Sequence, residues 1–301
     1  MKVLKALYLT IICLPLTIMS AHASNTSSIV IDAESGNILY SDKAEQLRYP
    51  ASLTKLMTLY ITFNALETGK LKETDKLKVS YTAASRSPSK LGLAPGSYID
   101  VKTAVEALIV KSANDCATVL SETLSKNEAE FAKLMTKTAR KLGMYHTTFK
   151  NASGLPNSAQ KTTAKDLAIL GAAIYHHFPQ YYHLFSLQEF KYNGITYKTH
   201  NYLLKDSLGT DGMKTGYTAA SGFNILTSAQ QGNHRVIAVT LGHKKVKDRD
   251  EDVSKMMEIS LNYMNRNTRI NTANLRNDIR RSLHNDKTRT AYNHTNRRYR
   301  R

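Results

Sequence analysis

Ser52 and Lys55 stand three positions apart in Pro50-Ala51-Ser52-Leu53-Thr54-Lys55-Leu56-Met57. At the start of a helix, positions i and i+3 share a face, so the hydroxyl and the amine meet. A serine hydroxyl is a weak nucleophile until a neighbouring base takes its proton. A lysine serves as that base when burial or a second cation lowers its pKa. By itself the spacing also fits a serine cap beside an exposed lysine. Two further triplets follow in order. Ser112-Ala113-Asn114 lies between two helical patterns, where a loop presents both polar side chains. Lys214-Thr215-Gly216 follows Gly212 and precedes a pair of strands. A Lys and a Thr beside a strand grip an anionic terminus, and Gly leaves room for a substrate to pair along the edge.

The elements that must position these groups are legible in outline. Ser28–Ile31 and Ile38–Tyr40 flank the turn residues 34–37 and read as a hairpin. Leu53, Leu56, Leu59 or Tyr60, and Phe63 recur at helical spacing from near Ser52, with Gly69 past the end. Thr82–Ser97 reads as a loop, Asp100–Leu108 as a helix, and Glu128–Leu142 as a helix closed by Gly143. Thr163 with Asp166 forms a capping-box variant for a helix through Ile174. Phe223–Thr227 and Val236–Leu241 are strands joined through Gln231-Gly232-Asn233, and Val246–Met264 is the closing helix. Strands at both ends with helices between predict an α+β fold, an antiparallel sheet flanked by helices.

Composition bounds the class. The 301 residues carry 42 Lys+Arg against 24 Asp+Glu, a formal charge of +18, with 42% apolar residues. Such a chain folds around a core, which excludes wholesale disorder and collagen-like or rod-like architectures. Residues 1–23 read as a signal peptide. Lys2 and Lys5 precede a largely apolar run from Ala6 to Met19, and Ala21-His22-Ala23 offers a cleavage site after Ala23. The apolar run is too short for a membrane span. Cys13 would leave with it, so Cys116 is the remaining thiol, read as a buried small hydrophobe. Residues 24–264 form the expected body. Residues 265–301 hold 11 Lys+Arg and 2 Asp and are expected to be a basic, mostly solvated extension. Within it Ile270, Leu275, Ile279 and Leu283 mark a thin apolar stripe, compatible with weak association with anionic membrane or wall polymers.

The ordered set of Ser-x-x-Lys, a Ser/Asn triplet and Lys-Thr-Gly resembles the low-molecular-mass penicillin-binding proteins, the serine D-alanyl-D-alanine carboxypeptidases. The likeness runs through residues 27–243 and includes Phe149-Lys150-Asn151-Ala152-Ser153-Gly154-Leu155 and Asp211–Thr218. Tyr217 departs from it, since His commonly follows Lys-Thr-Gly in that family. The resemblance implies a penicillin-binding/β-lactamase transpeptidase-like fold with a helical subdomain, and a serine at the cleft between the parts. It implies acyl transfer without metal or organic cofactor. Ser52 would attack the carbonyl between two D-alanines, Lys55 accept its proton, and Ser112 relay a proton to the leaving amine. Asn114 would orient the substrate amide, and Lys214 and Thr215 hold the terminal carboxylate, with Gly216 beside them. The Ser52 and Tyr217 backbone N–H groups would form the oxyanion hole. The expected partners are peptidoglycan stem peptides and β-lactams, not nucleic acid, in the periplasm or cell envelope. Relatives often carry a second β-rich domain, for which few residues follow the body.

Other readings stand beside this one. A DD-endopeptidase acting on crosslinked peptides would use the same residues. A class A-like β-lactamase needs a deacylating glutamate; Glu189, with Asn193 four positions on, comes too late in the interval. A non-catalytic polyanion- or wall-binding protein would be led by the basic tail. His176, His177 and His183 cluster without metal-ligand spacing.

Overall fold

A computed structural model describes residues 26–205, 208–266 and 271–284. The segment expected to be a signal peptide, and 285–301, lie outside the described residues.

The chain opens with strands β1 (Ser27–Asp32) and β2 (Ile38–Asp42). After a 3-10 turn at Ala51–Thr54 comes helix α1 (Lys55–Glu67). Strand β3 (Lys76–Lys78), the short helix α2 (Tyr81–Ala84) and β4 (Tyr98–Asp100) follow. Then come α3 (Val101–Val110), α4 (Asn114–Leu124), α5 (Glu128–Lys141), α6 (Ala164–His177) and α7 (Pro179–Tyr182). A small hairpin, β5 (Glu189–Tyr192) and β6 (Ile195–Lys198), precedes the long strands β7 (Thr210–Thr218), β8 (Gly222–Gln231) and β9 (His234–His243). Helix α8 (Val246–Arg266) follows, and residues 272–284 form a last helix, α9.

Five strands pair antiparallel in the order β2-β1-β9-β8-β7. The two ends of the body meet at its centre, where Ile29 stands opposite Val239. Gly232, at φ 57°, and Asn233 make the two-residue loop that sets the β8–β9 register. Because helices cover both faces, the central strands are apolar on both sides. Ile29, Ile31, Ile237 and Val239 face one core with α1, α3, α4, α5 and α6. Val30, Val236 and Ala238 face the other, with α8 and α9. Alternation with period two divides one strand between two cores.

Helix α1 runs through the middle of the helical subdomain. Its apolar residues surround the axis and nine of its side chains are buried, the pattern of an interior helix. Polar caps fix the helices around it. Asp100 accepts from the Thr103 N–H at 2.7 Å, and Asn127 from the Glu130 N–H at 2.9 Å. Thr163 accepts from the Asp166 N–H, as the capping pattern predicts. The Asp166 carboxylate does not return to Thr163; it accepts from the His146 N–H and the Thr147 hydroxyl, so tertiary bonds replace half of the expected box.

Two other expectations change. The loop read over 82–97 contains the end of α2, which Ser80 caps through the Ala83 N–H. In the segment read as solvated tail, α9 docks instead. Leu275 and Ile279, one helical turn apart, are fully buried and Leu283 packs beside them. No helix among the described residues is long and apolar enough to cross a membrane.

Candidate active site

The three motifs converge from three elements. Ser52 lies in the 3-10 turn that feeds α1, and Lys55 opens the helix. Lys55 is fully buried, with Nζ 3.2 Å from Ser52 Oγ. The same nitrogen donates to Asn114 Oδ1 at 2.7 Å and to the Ser153 carbonyl at 2.5 Å. Burial, and next the charge of Lys214, push the Lys55 pKa well down.

Asn114 begins α4, and its Nδ2 donates to the Ser87 carbonyl at 2.8 Å. Next to it, the Asp115 carboxylate accepts from the N–H groups of Leu91, Gly92 and Leu93 and holds that loop against α4. Ser112 sits in the turn before α4 with φ 59°, a conformation sparsely used by residues with a Cβ. Its Oγ is buried and has no hydrogen-bond partner, so the hydroxyl is uncommitted. Such an unsatisfied group in a strained turn is a mark of function.

Lys214, Thr215 and Gly216 lie on β7, the edge strand of the sheet, and the β8–β9 hairpin follows them as expected. Lys214 is 2% exposed, and burial followed by the Arg249 charge lowers its pKa to about 7. A Cβ on Gly216 would stand 2.9 Å from the Ser52 nitrogen, so only glycine lets β7 come this close to the serine turn. Asn224 on β8 secures the approach from the other side. Its Nδ2 donates to the Tyr49 carbonyl at 3.0 Å, and its Oδ1 accepts from the Gly242 N–H.

The motif Phe149–Leu155 supplies the fourth wall. Asn151 Oδ1 accepts from the Gly154 N–H at 2.7 Å, and Thr58 of α1 donates to the Ala152 carbonyl at 2.7 Å. These bonds aim the Ser153 carbonyl at Lys55. Together the four walls enclose a cleft of about 450 Å³, onto which Ser52, Ser112, Asn114, Thr215, Gly216 and Tyr217 open. Tyr217 is exposed and stacks on Phe223 with ring centres 4.3 Å apart.

Three groups at the cleft escape sequence reading. Ser153 acts through its backbone carbonyl, which carries no residue-type signal. Arg249, 3% exposed on α8, lines the cleft with its guanidinium on Asp250 Oδ1. His200 lines the mouth, and partial burial with the charges of Lys214, Lys111 and Lys55 keeps its imidazole below the usual histidine range. Glu189 is exposed on β5. His176 donates to the Ala33 carbonyl, and His177 pairs with the Tyr60 hydroxyl. Cys116 is buried, and burial raises its pKa well up.

Residues 16–245 match the family profile described as D-alanyl-D-alanine carboxypeptidase. The chain is 38% identical over 236 residues to the carboxypeptidase DacC of Escherichia coli, covering 76% of this chain and 59% of that protein. It is 34% identical to DacF of Bacillus subtilis, covering 78% and 61%. The chain thus spans about three fifths of the length of these curated relatives. Among solved structures, penicillin binding protein 5 from Haemophilus influenzae superposes with a TM-score of 0.74 at 34% identity, covering 77% of this chain and 69% of that one. Penicillin-binding protein D2 from Listeria monocytogenes, in a cefotaxime-bound form, does so at 0.71 and 31%, covering 78% and 96%.

Proposed function

The chain belongs to the D-alanyl-D-alanine carboxypeptidase family, and from that premise we propose that it is a serine DD-carboxypeptidase removing the terminal D-alanine of peptidoglycan stem peptides. The observation that carries this reading is the fully buried Lys55 amine beside the Ser52 hydroxyl. A neutral amine has two N–H bonds and one lone pair. Asn114 Oδ1 and the Ser153 carbonyl take the two N–H bonds, which leaves the lone pair for the serine proton.

Ser52 Oγ attacks the carbonyl carbon between the two D-alanines as Lys55 takes its proton. The backbone N–H groups of Ser52 and Tyr217 hold the oxyanion, each donor worth about 3–4 kcal/mol in measured cases. Lys214 and Thr215, both buried, bind the terminal carboxylate in a charge-assisted contact. The uncommitted Ser112 hydroxyl relays a proton from Lys55 to the leaving amine. Water then attacks the ester carbonyl and frees Ser52. A β-lactam ring presents a strained amide and a carboxylate to the same groups and acylates the same serine. Export to the cell envelope, with residues 1–23 as the removable signal, places the enzyme beside its substrate.

The test is incubation of the purified protein with a pentapeptide ending in D-Ala-D-Ala and with a crosslinked peptide dimer, scored by mass. Release of D-alanine is expected, and its loss in Ser52→Ala together with penicillin labelling. Cleavage of the dimer alone would replace the proposal with an endopeptidase, and two intact peptides would leave a binding protein.

A further inference from the structure

Glu128, the first residue of α5, does not line the cleft, yet its two carboxylate oxygens reach two of the cleft's walls from behind. Oε1 accepts from the Ala152 N–H at 3.1 Å, and Oε2 pairs with the Arg86 guanidinium. Ala152 precedes Ser153, whose carbonyl takes one N–H of the Lys55 amine. Arg86 precedes Ser87, whose carbonyl holds the Asn114 carboxamide, and Asn114 takes the other N–H. We infer that Glu128 is a positioning residue, which fixes both acceptors of the Lys55 amine and so aims its lone pair at Ser52. This inference rests on Lys55 as the base of the proposed acyl transfer and extends that reading to the carboxylate behind it.

The bonds around the carboxylate make the linkage stiff. The Ala152 residue is held at both ends: its N–H by Glu128 on α5, its carbonyl by the Thr58 hydroxyl on α1 at 2.7 Å. Arg86 is tied as well, since its Nε donates to the Thr118 hydroxyl at 2.9 Å. Thr118 lies four residues beyond Asn114, one turn along the same helix α4. The planar guanidinium therefore joins α4 to α5 in one orientation. The Arg86 and Glu128 side chains are 25% and 15% exposed, so water competes little for these bonds. Without the carboxylate, the Ala152 N–H loses its partner, and the Ser153 carbonyl loses one of the bonds that aim it. Arg86 loses its counter-ion, which loosens the neighbouring Ser87 carbonyl and with it Asn114.

The test is stopped-flow acylation by penicillin over a range of concentrations, which separates the saturating rate from the apparent affinity. The amount of penicillin bound at completion counts the folded sites. Glu128→Ala is expected to lower the saturating rate at least tenfold, since misplacing a reacting group by about 1 Å costs roughly a hundredfold. Its affinity should change by less than about twofold, because Lys214 and Thr215 stay in place. Glu128→Gln keeps an acceptor for the Ala152 N–H and should lose only about threefold in rate. Glu130→Ala removes a charge from the same helix start, where the carboxylate meets Lys133 on the surface, and should stay within about twofold of wild type. The groups whose charges act on Lys55, namely Lys214, Asp115 and Cys116, are unchanged in all three variants. A wild-type saturating rate in Glu128→Ala would overturn the assignment. So would equal losses in the Ala and Gln variants, a loss shared equally between rate and affinity, or an equal loss in Glu130→Ala. A wild-type protein that neither binds penicillin nor releases D-alanine would count against the carboxypeptidase reading instead. In that event NMR titration of carbon-13-labelled lysines decides the inference. A Lys55 pKa displaced by about half a pH unit or more in Glu128→Ala is expected, and an unmoved one refutes it.

Discussion

Gly154 and Ala51 touch backbone to backbone: a Cβ on Gly154 would lie 1.8 Å from the Ala51 carbonyl oxygen. Both residues sit in the left-handed region, Gly154 at φ 86° and Ala51 at φ 49°. The contact locks the turn carrying Ser52 onto the loop carrying the Ser153 carbonyl. The Ser52 hydroxyl and the Lys55 amine therefore owe their alignment to a stretch of chain about a hundred residues away in sequence, where Lys55 and Ser153 meet.

Gly154→Ala accordingly combines a disfavoured φ with an overlap that no side-chain movement relieves. The expected cost is about 2–4 kcal/mol in urea unfolding. Penicillin acylation should slow by more than tenfold even where the variant is folded, because Ser52 is displaced. Normal acylation in a fully folded variant would show that this loop does not align the serine.

The pH profile follows from two buried lysines. In the proposed mechanism Lys55 must be neutral to accept the Ser52 proton, so activity is expected to rise with pH through its depressed pKa. Lys214 must be charged to bind a carboxylate, and it loses its proton at about 7. The free enzyme is competent only where Lys55 is neutral and Lys214 still charged, so the alkaline limb of kcat/KM falls near pH 7. Once bound, the substrate carboxylate raises the Lys214 pKa, so the alkaline limb of kcat moves to higher pH. Stopped-flow acylation over the pH range reads both limbs; an alkaline limb at the same pH for kcat and kcat/KM would remove Lys214 from carboxylate binding.

How far the sequence reaches depends on where each signal resides. Ser52 with Lys55 is readable because a helical repeat places both side chains on one face. The central strands are readable because β-branched runs end in turn residues. Ser153 is not, because its contribution is a carbonyl that any residue type supplies. Arg249 is not, because its charge meets Lys214 only through the packing of α8 on the sheet. Asp166 matches a local capping rule, yet its carboxylate serves a distant turn. The abundance of Arg and Asn in 265–301 signals solvated chain, while Leu275 and Ile279 at i and i+4 suffice to dock a helix.

That docking has a measurable consequence. Leu275 and Ile279 are fully buried in the core under α8, alongside Met256 and Leu261. Leu275→Ala is expected to cost about 2–5 kcal/mol, and Ile279→Ala a similar amount. Their neighbour Arg281 is exposed, so Arg281→Ala should change stability by less than about 0.5 kcal/mol. If all three variants unfold alike at the wild-type urea midpoint, α9 is not part of the folded core.

Lys214 is held at a cost that its removal should reveal. Burial lowers its pKa from 10.5 to about 7, so the folded state binds fewer protons than the unfolded chain between those values. Stability contributed through this group therefore increases with pH across that window, and the penalty is fully present below it. Lys214→Met keeps the length of the side chain and removes the charge. It should stabilise the protein by on the order of 1 kcal/mol at pH 6, with the difference closing toward pH 10. The same substitution removes the nearby cation that depresses Lys55, so the acid limb of penicillin acylation should move to higher pH. Thermal unfolding and acylation across pH read the two effects separately. A variant more stable at pH 6 but with an unmoved acid limb would show that burial alone, without Lys214, sets the basicity of Lys55.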